Sequence, residues 1–406
     1  MSVFYYKALT HAGKEMSGHI EATNSQMALS QLKKQNLYIK ELREDIAGRD
    51  RELFPFLSKI IYHVPRKDIG LFARQLATLL GAGIKLDNAL GDIQEQTRNQ
   101  HLSKSITSLK AAVTEGKSLS EAIGAQEHLF PPIYKQMIRV GEATGSYEKT
   151  LTRLAELEEK GSELKNKVIT AMIYPVIMIM LSLFVVLFLL NSVVPQIQEI
   201  FESFKAELPL PTKIVIFFSM ITRRLWPLFI ISIFGLYYAL HVFKKKEGGQ
   251  LKLDKFKLKI PLYGNLIRKL EVSRFSRNLG ILLESGVPLL DSLTVVQTIV
   301  DNQIFKAELL EAARQIKEGE SLVASFKSST FLPHMVKGMI SAGESSDRLA
   351  ELILKTADIM ENEVDTSVKG LTTALEPLMM IVMGGLVGGI MVAILMPLYQ
   401  MSQLIK

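Results

Sequence analysis

The chain has 406 residues, of which 48% are hydrophobic and 22% charged, and its mean hydropathy is +0.20. It contains no cysteine, which excludes disulfides, thiolate metal sites, iron–sulfur clusters and a cysteine nucleophile. A formal charge of +7 would suit nucleic acid if the basic residues formed one patch on a soluble fold, but the positive hydropathy points to a membrane.

Residues 1–45 read as a small cytoplasmic β-β-α-β module: VFYYKAL, a turn at His11–Lys14, EMSGHIEA, a helix from Ser25 to Gln35, then LYIKEL. The opening MSVFYYKALTHAGKE meets Lys7 after a short apolar stretch, so no cleavable signal is expected and the first crossing serves for insertion. Residues 46–65 form a polar, then amphipathic, connector.

From 66 to 167 the apolar period is helical. Leu71, Phe72, Leu76, Leu79 and Leu80 make one face, and Gly81-Ala82-Gly83 ends that helix. Leu102, Ile106, Leu109 and Val113 form a second stripe that stops at Gly116. Ser118 with Glu121 reads as a capping box, and Pro131-Pro132 starts a further helix. A long segment from Tyr147 then runs into the first apolar stretch. About six helices and no strand are expected in this domain.

Three uncharged runs are long enough to cross a bilayer, which needs about 20 helical residues. They are Val168–Val194 (27 residues), Leu225–Phe243 (19) and the stretch from Pro377 to Ile405 (29). Transmembrane helices are therefore expected at 168–194, 225–243 and 377–400. Charge sets their direction. Lys244–Lys269 holds nine basic and two acidic residues, against four and three in Pro195–Arg224. The positive-inside rule puts 1–167 and 244–376 in the cytoplasm, and the 195–224 loop and the 401–406 C-terminus outside. The basic linker 244–268 also suits anionic headgroups, and most of the net charge is explained without nucleic acid.

The chain repeats itself. FARQLATLLGAGIKLDNAL (Phe72–Leu90) lies over FSRNLGILLESGVPLLDSL (Phe275–Leu293), pairing Phe72 with Phe275, Arg74 with Arg277 and Gly83 with Gly286 at an offset of 203. MIRVGEATG meets MISAGESSD with Glu142 over Glu344, and Pro175 and Pro195 fall on Pro377 and Pro397, both at 202. Residues 269–376 are thus a second copy of the 66–167 domain, and each copy feeds one membrane helix. The expected fold is mainly α and polytopic: two homologous cytoplasmic helical bundles, three transmembrane helices and the small N-terminal module. The copies run parallel, because the middle crossing returns the chain to the cytoplasmic side.

Enzyme signatures are missing. Gly13-Lys14 and Gly116-Lys117 lack the glycine that a phosphate-binding loop needs five positions earlier, and no GxSxG, HExxH or GxGxxG occurs. No catalytic residue, cofactor or metal centre is expected. Glu142 and Glu344, each after a glycine in matched turns, have three open readings: capping a helix, touching a partner, or holding a cation as weak metal candidates. Arg74 and Arg277 read as intradomain salt-bridge residues rather than ligand sites, and Glu376 as an interfacial or helix-start residue, with a coupling or proton role as the alternative. Gly384, Gly385, Gly388 and Gly389 make overlapping GxxxG steps suited to close packing of membrane helices, in this chain, a second copy or another protein.

Together these blocks resemble the type II secretion system protein F family, whose relatives include the platform of type IV pilus assembly. The similarity spans nearly the whole chain. It is carried by FARQLATLLGAGI and FSRNLGILLESGVPLLDSL, the two Gly-Glu turns, IPLYGNLIRK, LEPLMMIVMGG and the opening FYYKALTHAGKEMSGHIEA. GVPLLDSL and the SQLI ending lean toward the secretion branch over the pilus branch. The resemblance implies a non-enzymatic, self-associating platform in the bacterial inner membrane. Its implied partners are a secretion ATPase with that ATPase's inner-membrane recruiter proteins, pseudopilins and membrane lipid. It would couple the ATPase to pseudopilus assembly and so to export of folded proteins across the outer membrane. A small-solute transporter is the competing class, for which three crossings without internal charge make a poor aqueous path.

Overall fold

The computed structural model describes residues 2–9, 15–22, 27, 29, 38–45, 64–203, 209–246 and 248–404. They fall into two units, 1–63 and 64–406. In the first, strands β1 (Ser2–Leu9), β2 (Glu15–Ala22) and β3 (Tyr38–Asp45) form an antiparallel sheet in the order β2-β1-β3. The register pairs Tyr5 with His19 on one side and with Arg43 on the other, and a bulge lies between Lys7 and Ala8 on the β3 side. Most of the helix expected at Ser25–Gln35, and the connector 46–63, lie outside the described residues.

In the second unit six helices build the first repeat: α1 (Arg66–Gly81), α2 (Leu86–Gln96), α3 (Gln100–Thr114), α4 (Leu119–Gly124), α5 (Pro132–Thr144) and the start of α6 (Tyr147–Phe188). A π-helical turn (Leu189–Val193) and α7 (Val194–Ser203) continue α6. Then come α8 (Leu210–Lys245) and α9 (Gly249–Lys259). The second repeat is α10 (Tyr263–Glu284), α11 (Leu289–Ile299), α12 (Gln303–Lys317), α13 (Leu322–Phe326), α14 (His334–Ser345) and α15 (Leu349–Leu404).

Local chemistry explains why the copies share boundaries. Asn99 and Asn302, 203 apart, cap α3 and α12, each side chain accepting from two backbone N–H groups at 3.0–3.3 Å. Gly83 and Gly286 adopt φ of +83° and +86°, which lets the next N–H reach back to Leu79 and Leu282 and close the helix end. The capping box at α4 is formed: Ser118 Oγ accepts from Glu121 N–H at 3.1 Å, and the Glu121 carboxylate accepts from Ser118 N–H at 3.4 Å.

Within each repeat the first helix packs along the long last one. Phe72, Leu76, Leu151 and Leu154 of the first repeat and Phe275, Leu279 and Ile353 of the second belong to one continuous core. Aromatic rings anchor it in both repeats. Phe72 lies 5.8 Å from Phe130, Phe275 lies 5.4 Å from Phe305, and Phe305 stacks on Phe331 at 4.4 Å. Leu71, expected in the core face, is 55% exposed. The buried stripe is Ile69, Phe72, Ala73, Leu76 and Ala77, one residue off that expectation.

Two helices, in Tyr147–Gln196 and Leu349–Met396, are long and apolar enough to cross a membrane, and their apolar stretches are little buried by this chain. The middle run lies within α8, whose Phe217, Ile231, Phe234 and Tyr238 are exposed. Leu190 of the π-turn, Val194 of α7 and Ile390 of α15 form a small separate core, with Val215 and Ile216 of α8 against it. There Thr212 Oγ1 donates to the Ala393 carbonyl at 2.7 Å, and Ser219 Oγ to that of Leu190 at 2.5 Å, inside the π-turn. Two segments expected as loop or linker are largely helical. Residues 195–224 are helix up to Ser203 and again from Leu210, which follows the helix-starting Pro209; residues 244–268 contain α9 and the start of α10.

Candidate functional site

The matched Gly-Glu turns face the starts of short helices. Glu142, on α5, accepts from Ser120 N–H at 2.9 Å and from Ser120 Oγ at 2.5 Å, at the N-terminus of α4. Glu344, on α14, accepts from Leu322 N–H at 2.8 Å and Val323 N–H at 3.1 Å, at the N-terminus of α13. Both carboxylates meet N–H groups that a helix start leaves unpaired, the favourable end of the helix dipole. Of the three readings left open by the sequence, this is the capping geometry. Among the described residues no group of three His, Cys, Asp or Glu could hold a metal ion. Burial and the adjacent Glu142 carboxylate push the Tyr147 hydroxyl up to about 12.

The preceding glycines are needed for close packing. A Cβ on Gly141 would overlap the Thr150 hydroxyl, and one on Gly343 would approach Leu349 Cα to 2.9 Å. The left-handed position after each helix is Gly145 (φ +66°) in one repeat and Asp347 (φ +55°) in the other.

Arg74 and Arg277 form the expected ion pairs. Arg74 binds both oxygens of Glu159, at 3.2 and 2.8 Å. Arg277 meets Glu361 at 2.9 Å and Asp358 at 2.5 Å. Glu159 and Glu361 are themselves 202 apart, so the repeat extends to its salt bridges. The hydrogen bond to Glu159 holds the Arg74 guanidinium above its usual range; burial pulls that of Arg277 down, but Asp358 and Glu361 together outweigh it and leave it raised.

Three features had no clear sequence signal. Glu158, where the other repeat has Met360, is buried against Gly70 and Arg66, the latter at 3.4 Å. Burial pushes its carboxyl up, and Arg66 opposes the shift. Arg153 reaches from the first repeat to Glu284 (3.1 Å) and Ser285 (3.2 Å) of the second. Finally, a groove of about 860 Å³ lies between α6 and α15, lined by Lys67, Glu159, Glu163, Lys167, Asp365 and Lys369 among others. Its charges are largely paired, as in Glu163–Lys167 at 2.8 Å and Asp365–Lys369 at 2.7 Å.

Among the described residues nothing packs on Gly384, Gly385, Gly388 or Gly389: a Cβ on any of them would find no described atom within 4 Å. Glu376 is exposed on α15 beside Pro377.

The fold thus defines a membrane-type protein built on a duplicated helical bundle, each copy continuous with a long apolar helix. The family model described as Type II secretion system (T2SS), protein F matches residues 72–195 and again 275–397, and the model of that protein's N-terminal domain matches residues 1–43. A type IV pilus assembly protein PilC of Thermus thermophilus is 35% identical over 98% of this chain and 98% of its own length. Type II secretion system protein F of Xanthomonas campestris pv. campestris is 33% identical, and that of Vibrio cholerae serotype O1 31%, each over 100% of both chains. The chain belongs to the type II secretion system protein F family, an inner-membrane component of secretion systems.

Proposed function

We propose that this chain is a non-enzymatic inner-membrane platform that couples a cytoplasmic ATPase to assembly of a pilin-like filament. The observation that carries this reading is the fusion of each bundle, through one uninterrupted helix, to an apolar segment. Such a build joins a soluble docking surface to the bilayer with no flexible joint between them. Three membrane helices (168–194, 225–243, 377–400) leave both bundles on the cytoplasmic side with the N-terminal module, while 195–224 and the C-terminus face the periplasm. The excess of basic residues in Lys244–Lys269 supports that direction. The ATPase and its recruiter proteins dock on the bundles, pseudopilins meet the membrane helices, and the open glycine face of α15 receives a helix of a second copy.

Export of folded proteins through a pseudopilus is one form of this function, and pilus assembly is the other. The relatives of 35% and 33% identity stand one in each branch, so similarity supports both. Deleting the gene from its host and scoring secreted enzymes and surface pili separately assigns the branch. Retention of both would refute the platform reading, as would ATP turnover by the purified chain that a point mutation within it abolishes. Gly388→Leu should insert normally yet lose the self-associated species on native electrophoresis. An unchanged species would remove the glycines from that role.

A further inference from the structure

Within residues 64–167 and 244–376, nine large apolar side chains are exposed, and five of them fall in the thirteen residues 251–263: Leu251, Phe256, Ile260, Leu262 and Tyr263. Phe256 and Leu262 are 65% and 69% exposed, far beyond what packing on this chain explains. The same stretch is strongly basic. Lys244, Lys245, Lys246, Lys252, Lys255 and Lys259 are all exposed, while Asp254 is buried against Lys257 and the Gln303 N–H. On α9 the exposed positions 252, 255, 256 and 259 share one helical face, so lysines and Phe256 point the same way. The opposite face carries Asp254 and Leu258, which fix α9 to the second repeat.

The backbone holds this patch at a set place. Gly248 (φ +71°) turns the chain at the end of α8, and a Cβ on Gly249 would overlap the Phe243 carbonyl, so α9 starts hard against the last turn of the apolar helix. At its other end Leu262 has φ +65° and ψ −55°, and Tyr263 N–H donates to Pro261 O at 2.7 Å. That is the rare, strained form of γ-turn, costly for a branched side chain. Its result is to thrust Leu262 outward.

We propose that α9 and the Ile260–Gly264 turn form an anchor on an anionic lipid surface, with Phe256, Leu262 and Tyr263 seated at headgroup depth and Lys252, Lys255 and Lys259 on lipid phosphates. The inference rests on the reading of α8 as a membrane helix. Apolar and aromatic groups beside lysines, directly after an apolar helix, have the chemistry that an interfacial segment needs. Because Asp254 ties α9 to the start of α12, lipid held by α9 fixes the second bundle against the bilayer.

The cysteine-free chain makes the test direct. Full-length Phe256→Cys, Leu262→Cys, Gly235→Cys and Lys104→Cys variants carry an environment-sensitive fluorophore and are reconstituted into phosphatidylcholine vesicles with or without phosphatidylglycerol. Shallow nitroxide lipids should roughly halve emission at 256 and 262 in the anionic vesicles and leave 104 unchanged. Deep nitroxide lipids should quench 235 in both. Combined Lys252→Glu, Lys255→Glu and Lys259→Glu should abolish the quenching at 256 and 262 while sparing 235. Quenching at 235 without quenching at 256 and 262 overturns the anchor alone. A blue shift at 256 without lipid quenching does so too, because a protein segment then covers the patch. No quenching at 235 overturns the membrane reading of α8, and the anchor with it.

Discussion

Removing the carboxylate of Glu344 should loosen α13, and the size of the effect separates a cap from a partner contact. Glu344 accepts from two backbone N–H groups, Leu322 and Val323, with Ser321 Oγ taking the third, Ala324, at 3.1 Å. Hydrogen bonds to a charged acceptor contribute about 1.5–3 kcal/mol each when shielded, and the exposure of Glu344 cuts the two together to about the worth of one shielded bond. Glu344→Ala should therefore cost about 1.5–2 kcal/mol of local stability, since α13 is only Leu322–Phe326 long and is otherwise held by the Ser321 cap and the buried Leu322 and Phe326. Glu344→Gln should recover about half, because an amide presents one oxygen to two donors. Glu142 should behave differently. One of its two partners is the Ser120 hydroxyl, which can rotate to accept from an amide, so Glu142→Gln should be nearly neutral. Amide exchange by mass spectrometry on the full chain in detergent reads this directly. About 1.4 kcal/mol is tenfold in rate, so peptides covering α13 should exchange roughly tenfold faster in Glu344→Ala, with α4 unchanged. Unchanged protection of α13, together with lost ATPase binding, would refute the cap and support a partner contact.

Three further outcomes follow from the same geometry. Glu158 is held above the usual carboxyl range by burial, so the folded state binds its proton more tightly than the unfolded chain and loses stability as pH rises through that range; Glu158→Gln should raise Tm most at neutral and alkaline pH, with the gain vanishing in acid. Arg277 is 13% exposed and spans two carboxylates, whereas Arg74 is 35% exposed and meets one; Arg277→Ala should cost about 2–3 kcal/mol and Arg74→Ala less than about 1, measured by denaturant titration. Gly141→Ala should destabilise by about 1–3 kcal/mol through overlap with Thr150, while Gly338→Ala, in open space within α14, should stabilise by up to about 1 kcal/mol; a thermal scan of both variants checks the pair.

Much of the fold was legible because the repeat tests each local signal twice. A glycine or an arginine that recurs at an offset of 202 or 203 is selected from noise by its partner, and the helix end at Gly83/Gly286 follows; the caps at Asn99 and Asn302 recur in the same way but emerged only with the structure. Unrepeated features were harder to see. Glu158 stands where the second copy has Met360, so its burial carried no doubled signal. The Arg153–Glu284 contact joins residues 131 apart in different copies, which neither periodicity nor spacing records. The helix at 195–203 was hidden because Pro195 looks like a breaker; it lies just past the π-turn, a local irregularity in the hydrogen-bond ladder, and the helix runs on through the proline. For Glu142 and Glu344 the sequence supplied three roles and the backbone N–H positions supplied the choice of geometry.

The uninterrupted length of α15 has a mechanical consequence. From Leu349 to Leu404 it is one rod of about 84 Å, with Pro377 near its midpoint. Held in a bilayer up to that point, the rod is a lever with two arms of about 42 Å. For a rod that stays straight through Pro377, sideways travel imposed on the bundle end would reappear, reversed, at the far end. A swing of about 5° moves each tip roughly 4 Å, close to the rise of three helical residues. The other rod, α6, meets a π-turn at Leu189–Val193 before its tip, a natural place for bending. Pushed equally, the two arms would deliver unequal strokes.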